Sequence, residues 1–290
     1  MDEKGPQEYS YKNEAGKIFM KLSKRRVLLL AFFITVLCSL LVAVPILMRP
    51  EPDLQTAITK AIDSLEDRHE PYALLWLDMI YRRFGISEFS DSLQRYDQIL
   101  TEEPEQVSLL HVFRRMADHY NQVDDKDFQA VSLPSDIIIV NALYCDRRGL
   151  PLDYSEMLER EASQGGYHLT HVLLAWIWVQ ENGCKLELPE GFIDDIHSAN
   201  AKIINENPMI VDDLKLEAAA FLYLAGQDAL VHDSFIERVI ASQNDDSTWG
   251  NSNDKQTEEY WHSTILALLI LLHVEFPADS YPPMLDSPSP

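Results

Sequence analysis

Residues 165–178 read GGYHLTHVLLAWIW, which sets His168 and His171 three positions apart at the head of an apolar run. On a helix that spacing puts both imidazoles on one face. Such a pair can supply two ligands to a metal, or let one ring act as a general base while the other orients it. A metal site needs a third ligand, and the spacing is not the H-E-x-x-H of metalloproteases. A structural reading stands beside this one: Thr170 caps or bonds backbone, and His171 is a satisfied core histidine. His262, in EEYWHSTILALLIL, is the distant partner. If both helices line the centre of a helical barrel, His168, His171 and His262 converge at one end. Asp146 completes this candidate catalytic set, and Tyr167, Trp249, Tyr260 and Trp261 are aromatics that could line a ligand beside it.

Carboxylates offer a rival chemistry. Asp136, Asp146, Asp212, Asp213 and Glu217 fall near helix starts or inside apolar sequence. A pair of them, acid and base, could flank a sugar as in glycoside hydrolysis, with Trp176, Trp178, Trp249, Tyr260 and Trp261 lining it. The plainer reading makes Asp212 and Asp213 caps for a helix beginning near Leu214, and Trp176 and Trp178 core residues. Several motifs are missing from the sequence: G-x-x-x-x-G-K-S/T, G-x-G-x-x-G, G-x-S-x-G and C-x-x-C. ATP-driven work, nicotinamide redox chemistry and the common serine-hydrolase chemistry are therefore not expected.

The elements that must position these groups are helical. From Asp53 onward apolar residues recur at three and four, and no stretch sustains a period of two. Asp53 can cap a first helix, and Pro71 can open a second that Gly85 closes. Further starts are expected near Ser90 or Asp91, Pro104, Pro134, Asp153, Gly166, Pro189, Asp212, His232 and Lys255. The run DIIIVNALYC reads as a buried helix. About eleven helices joined by short loops imply antiparallel hairpins on a shared core.

Residues 27–48 form a run without a charge, long enough to cross a bilayer as a helix. Lys21, Lys24, Arg25 and Arg26 precede it, which keeps residues 1–26 in the cytoplasm as a basic tail. A retained signal anchor fits better than a cleaved signal peptide, because the run is long and VPILMRP is a poor cleavage site. Residues 51–278 then form an extracytoplasmic domain (periplasmic, lumenal or extracellular), with 279–290 a disordered, Pro- and Ser-rich tail. The net charge of −23 is uneven: residues 1–50 carry 8 Lys/Arg against 4 Asp/Glu, and the remainder 16 against 43. So acidic a body excludes nucleic acid as a partner. Cys145 and Cys184 lie beyond the span, as a disulfide or as two buried thiols.

Two echoing segments sharpen the architecture. Tyr167-His168-Leu169-Thr170 before HVLLA matches Trp261-His262-Ser263-Thr264 before ILALL, each after a Ser-Gln and a glycine. The stretch STWGN…EEYWHSTILALLIL resembles the loop and inner helix of the α/α-toroid folds of terpene cyclases and protein prenyltransferases. In prenyltransferases the matching histidine is a zinc ligand beside an Asp and a Cys. Cys145 and Asp146 are the residues available here, but they adjoin rather than follow Asp-x-Cys, and neighbours on a helix diverge by about 100°. A second resemblance, over about 160–275, is to a family of vertebrate secreted proteins with no assigned reaction. It rests on Gly166, Tyr167, His171, Gly183, Cys184, His262 and Thr264, and implies export without mechanism.

The sequence thus predicts an all-α protein: one N-terminal transmembrane helix, then helical hairpins as an incomplete α/α toroid or compact bundle. The expected activity is binding of a small-molecule, glycan or peptide ligand in a central cleft lined by His168, His171, Trp249, Trp261 and His262. The alternatives are a hydrolase or zinc-dependent enzyme using that cleft, with His168, His171 and His262 as candidate ligands, and an assembly partner of envelope proteins.

Overall fold

The computed structural model describes residues 53–102, 107–250 and 260–286. The expected cytoplasmic tail and the membrane span at 27–48 lie outside these residues, and no described helix is long and apolar enough to cross a membrane. Within them the protein is all-α, with no strand. The helices are α1 (Leu54–Leu65), α2 (Pro71–Phe84), α3 (Ser92–Glu102), α4 (Val107–Phe113), α5 (Asp125–Gln129), α6 (Pro134–Leu143), α7 (Cys145–Arg148), α8 (Tyr154–Ala162), α9 (Tyr167–Glu181), α10 (Phe192–Asn205), α11 (Asp213–Leu224), α12 (Asp233–Ala241) and α13 (Tyr260–Glu275). The eleven expected helices are present, and the short α5 and α7 are added.

Local chemistry sets many of the boundaries. Asp53 accepts from Thr56 N to start α1, and Asp212 accepts from Lys215 N to start α11. Pro71 and Pro134 occupy the first turns of α2 and α6, where a missing N–H costs nothing. Gly85 ends α2 with φ 73°, a left-handed conformation open to glycine at no steric cost.

Helices of two compositions then sort into two layers. α6, α9, α11 and α13 carry apolar residues around their whole circumference, while α1, α8, α10 and α12 carry one apolar stripe. A helix apolar all round must be covered all round. Accordingly α9 packs between α6 and α11, α11 packs against α13, and α13 against α1 and α2. The amphipathic α8, α10 and α12 lie against this inner file. Residues 265–272 of α13 are no more than 1% exposed, so this most apolar of the described helices is the centre of the core.

Buried tyrosines fasten the helices: Tyr96 donates to the Leu110 carbonyl, Tyr144 to that of Val112 and Tyr154 to that of Ile138, at 2.6–2.8 Å. Of the two readings of the cysteines, the structure has the disulfide, joining Cys145 to Cys184 with Cα atoms 6.1 Å apart. It ties α7 to the end of α9. One expectation is corrected. Within the 279–290 tail read as a loose end, Met284 and Leu285 are fully buried, because Arg82, Arg83 and Glu181 bond its backbone.

Candidate functional site

Three inner helices present their N-terminal turns together. The turn into α9 needs two successive positive φ angles, 68° at Gly165 and 56° at Gly166, which glycine adopts without strain. At α11, capping by Asp212 leaves Asp213 as the first helical residue, and Glu217 follows four positions later on the same face. The helix is held in place by Lys215, whose buried ammonium donates to the carbonyls of Glu206, Asn207 and Ile210 just past α10. His262 and Ser263 come from the first turn of α13.

Asp213 gathers three donors. Its oxygens lie 3.0 and 3.1 Å from His262 Nδ1, 2.5 Å from Ser263 Oγ and 2.8 Å from Tyr167 Oη. Burial pushes the Asp213 carboxyl up, but the His262, Ser263 and Tyr167 bonds outweigh it and hold the carboxyl below its ordinary range. An ionised carboxylate only accepts, so His262 Nδ1 carries the hydrogen and Nε2 is turned to Glu217 Oε2, 3.5 Å away.

Glu217 is the opposite case. It is 2% exposed, and burial raises its carboxyl to about 7 against the pull of His262 and of the Thr170 hydroxyl. The Thr170 hydroxyl bonds Glu217 Oε1 and also lies 2.9 Å from the Tyr167 carbonyl. A single hydroxyl hydrogen cannot serve both. A protonated Glu217 donating to Thr170, which in turn donates to the Tyr167 carbonyl, satisfies both oxygens that the hydroxyl touches. Two carboxylates one helical turn apart are thus shifted in opposite directions, the pattern that separates acid from base at catalytic centres.

The structure distributes the remaining expected site residues unevenly. His171 has a buried Nδ1 that makes no hydrogen bond. Burial lowers its imidazole to about 4, aided by the charges of His262 and His168. His168 turns away, 2.9 Å from the buried Glu161 of α8. Asp146 is held by the buried Arg115 at 3.1 Å, and its neighbour Cys145 is consumed in the disulfide, so neither joins the histidines. Trp249 is a core residue, 1% exposed, with its indole N–H bonded to the Val239 carbonyl. Trp261 is half-buried and meets His262 edge-on, with ring centres 5.5 Å apart. Tyr167 is 44% exposed while bonded to Asp213, and gives the cluster its face to solvent. The Tyr260 side chain lies outside the described residues.

Asp213 and Glu217 are visible in the sequence as carboxylates, yet nothing there joins them to His262. Ser263 was legible only as a member of the two echoing segments, and Thr170 also as a residue that caps or bonds backbone, which its bond to the Tyr167 carbonyl bears out. One oxygen each from Asp213 and Glu217 and one nitrogen of His262 all lie within 4.8 Å of one another, a spacing that could hold a cation. An open depression of about 580 Å³ at the α1–α2 turn, lined by Ser64, Asp67, Arg68, His69, Glu70 and Pro71, shares no residue with the cluster. Comparison with protein-family models, with curated proteins and with solved structures finds no match to this chain.

Proposed function

We propose that this protein is a membrane-anchored, extracytoplasmic hydrolase-type enzyme whose acid–base centre is His262 and Glu217, oriented by Asp213. Its ligand, a small molecule, glycan or peptide, docks against Tyr167 and Trp261 at the head of α9, α11 and α13. A single observation carries the reading: Asp213 holds His262 through Nδ1 and leaves Nε2 facing a carboxyl that burial keeps near neutrality. In that arrangement Nε2 accepts a proton from an attacking water, or Glu217 gives one to a leaving group. The apolar inner file with amphipathic helices against it supports an incomplete α/α toroid as the scaffold. The Cys145–Cys184 disulfide supports an oxidising compartment beyond the membrane at 27–48.

The test is turnover of chromogenic glycosides, esters and peptide amides by the full chain and by H262Q, D213N and E217Q. General acid–base groups contribute about 10²–10⁴-fold. The expected result is hydrolysis of at least one class, reduced at least about 100-fold by H262Q and by E217Q without loss of helicity. Hydrolysis that survives both substitutions, or none across the panel by folded protein, overturns the proposal.

A second reading, a divalent-cation site of the zinc class, is favoured by the mutual spacing of the Asp213, Glu217 and His262 atoms and by the unpartnered Nδ1 of His171. Equilibrium dialysis against zinc decides it: one equivalent retained by the chain and lost in H262Q supports it, and none retained removes it.

A further inference from the structure

The far end of α9 carries a second recognition apparatus. Glu181 closes the helix that Tyr167 opens, about 21 Å away at 1.5 Å per residue. There the C-terminal segment lies in a groove between the ends of α2 and α9 and the turn at 114–116. Three arginines read alternate carbonyls: Arg83 donates to Pro282 at 2.5 Å, Arg82 to Met284 at 2.8 Å and Arg115 to Asp286 at 3.4 Å. The Glu181 carboxylate accepts the consecutive N–H groups of Met284 and Leu285 at 2.8 and 3.0 Å. Asp286 N donates to the Met116 carbonyl at 2.8 Å, and its carboxylate accepts from His119 N at 3.1 Å. Side chains add Met284 and Leu285, both fully buried, and Tyr281 under the Arg83 guanidinium and edge-on to His273.

Most of these bonds go to peptide backbone, the part of a segment that every peptide shares. The segment 281–286 belongs to no helix and the disulfide does not include it, so it can leave without unfolding any helix. We propose that this groove is a peptide-recognition site, which the chain's own tail occupies in cis and which accepts a peptide of the same chemistry in trans. The partner peptide carries an aromatic ring, two adjacent apolar side chains three and four positions later, and an acid directly after them. The tail holds the site because tethering gives it an effective concentration near millimolar. This inference is independent of the acid–base centre at the other end of α9.

The test uses the full chain in detergent and a fluorescein-labelled peptide of residues 279–288. In the variant M284D/L285D, two carboxylates cannot stay buried beside Glu181, and the tail is released. The released variant is expected to bind the peptide saturably, at least about 10-fold more tightly than the parent chain, whose tail competes. Adding R82A should abolish that binding, as should placing the two aspartates in the peptide. A released variant that keeps its helicity and ignores the peptide overturns the proposal. Hydrogen exchange on the unaltered chain supplies the control that needs no variant. Met284 and Leu285 amides should exchange by local opening, well ahead of the α9 core. If they exchange only together with that core, the segment is a permanent clasp and the proposal fails.

Discussion

At the residue scale, two ionisable groups are held in the charge state that water would not choose. Glu217 has a folded-state pKa of about 7 against an ordinary 4.5. Between those values the folded chain keeps a proton that the unfolded chain has lost. Stability therefore falls as pH rises through this window, and the charged form is carried at a cost above it. E217Q removes that cost, so its melting temperature should exceed that of the parent chain at pH 8 and match it near pH 4.5, measured by circular dichroism. His273 has the reverse sign. Burial lowers it to about 4, while its Nδ1 donates to the Leu269 carbonyl at 2.7 Å and Nε2 accepts from Arg83 at 3.3 Å. Arg83, Tyr223 and Tyr281 are the titratable groups around it. Unfolded chains take up the proton first, so stability contributed by neutral His273 is lost as pH falls from 6.5 towards 4. Urea unfolding at pH 7, 5 and 4 should show that loss, and H273L should flatten it.

At the element scale, α11 is the helix on which the cluster depends. It supplies Asp213 and Glu217, and its position against α10 is fixed by a buried lysine rather than by apolar contact alone. Lys215 satisfies three carbonyls at once, where the chain leaves α10 through Asn207 at φ 46°. K215M keeps the stem and takes the charged donor from all three carbonyls, of which that of Asn207 also accepts from Ile210 N. It should cost about 2–3 kcal/mol, the range for a charged hydrogen bond left unmade, read from the urea midpoint. Boundaries of such helices were legible because capping is local: Asp53, Pro71, Pro134 and Asp212 act on their own chain neighbours. Which face of α9 meets α11 was not, since apolar residues surround both helices and periodicity gives little direction there.

At the scale of the whole molecule, the domain is closed at one pole by covalent and ionic ties and left polar at the other. The Cys145–Cys184 bond spans 39 positions, which by chain entropy corresponds to about 4 kcal/mol of stabilisation. Reduction should lower the unfolding free energy by that amount, and the double substitution C145S/C184S should reproduce it. Its neighbours Asn182 and Asp146 form one network around the buried Arg115. That is why Asp146, a catalytic candidate by composition, serves as a structural counter-ion. The acidic surface of the domain needs no such explanation; it follows from composition.

What the sequence determined by itself was the helical class, the helix starts and the histidine-headed segments, because capping and periodicity act within a few residues of one another. Only the tertiary structure decided that His262 would meet Asp213 and Glu217, that His168 would turn to Glu161, that Trp249 would be core, and that the C-terminal segment would be docked. Each of these joins groups on different elements, seven positions apart for His168 and Glu161 and 49 for His262 and Asp213. Their pairing is set by how an apolar inner file can be covered completely, which is a property of the packed molecule and of no local stretch.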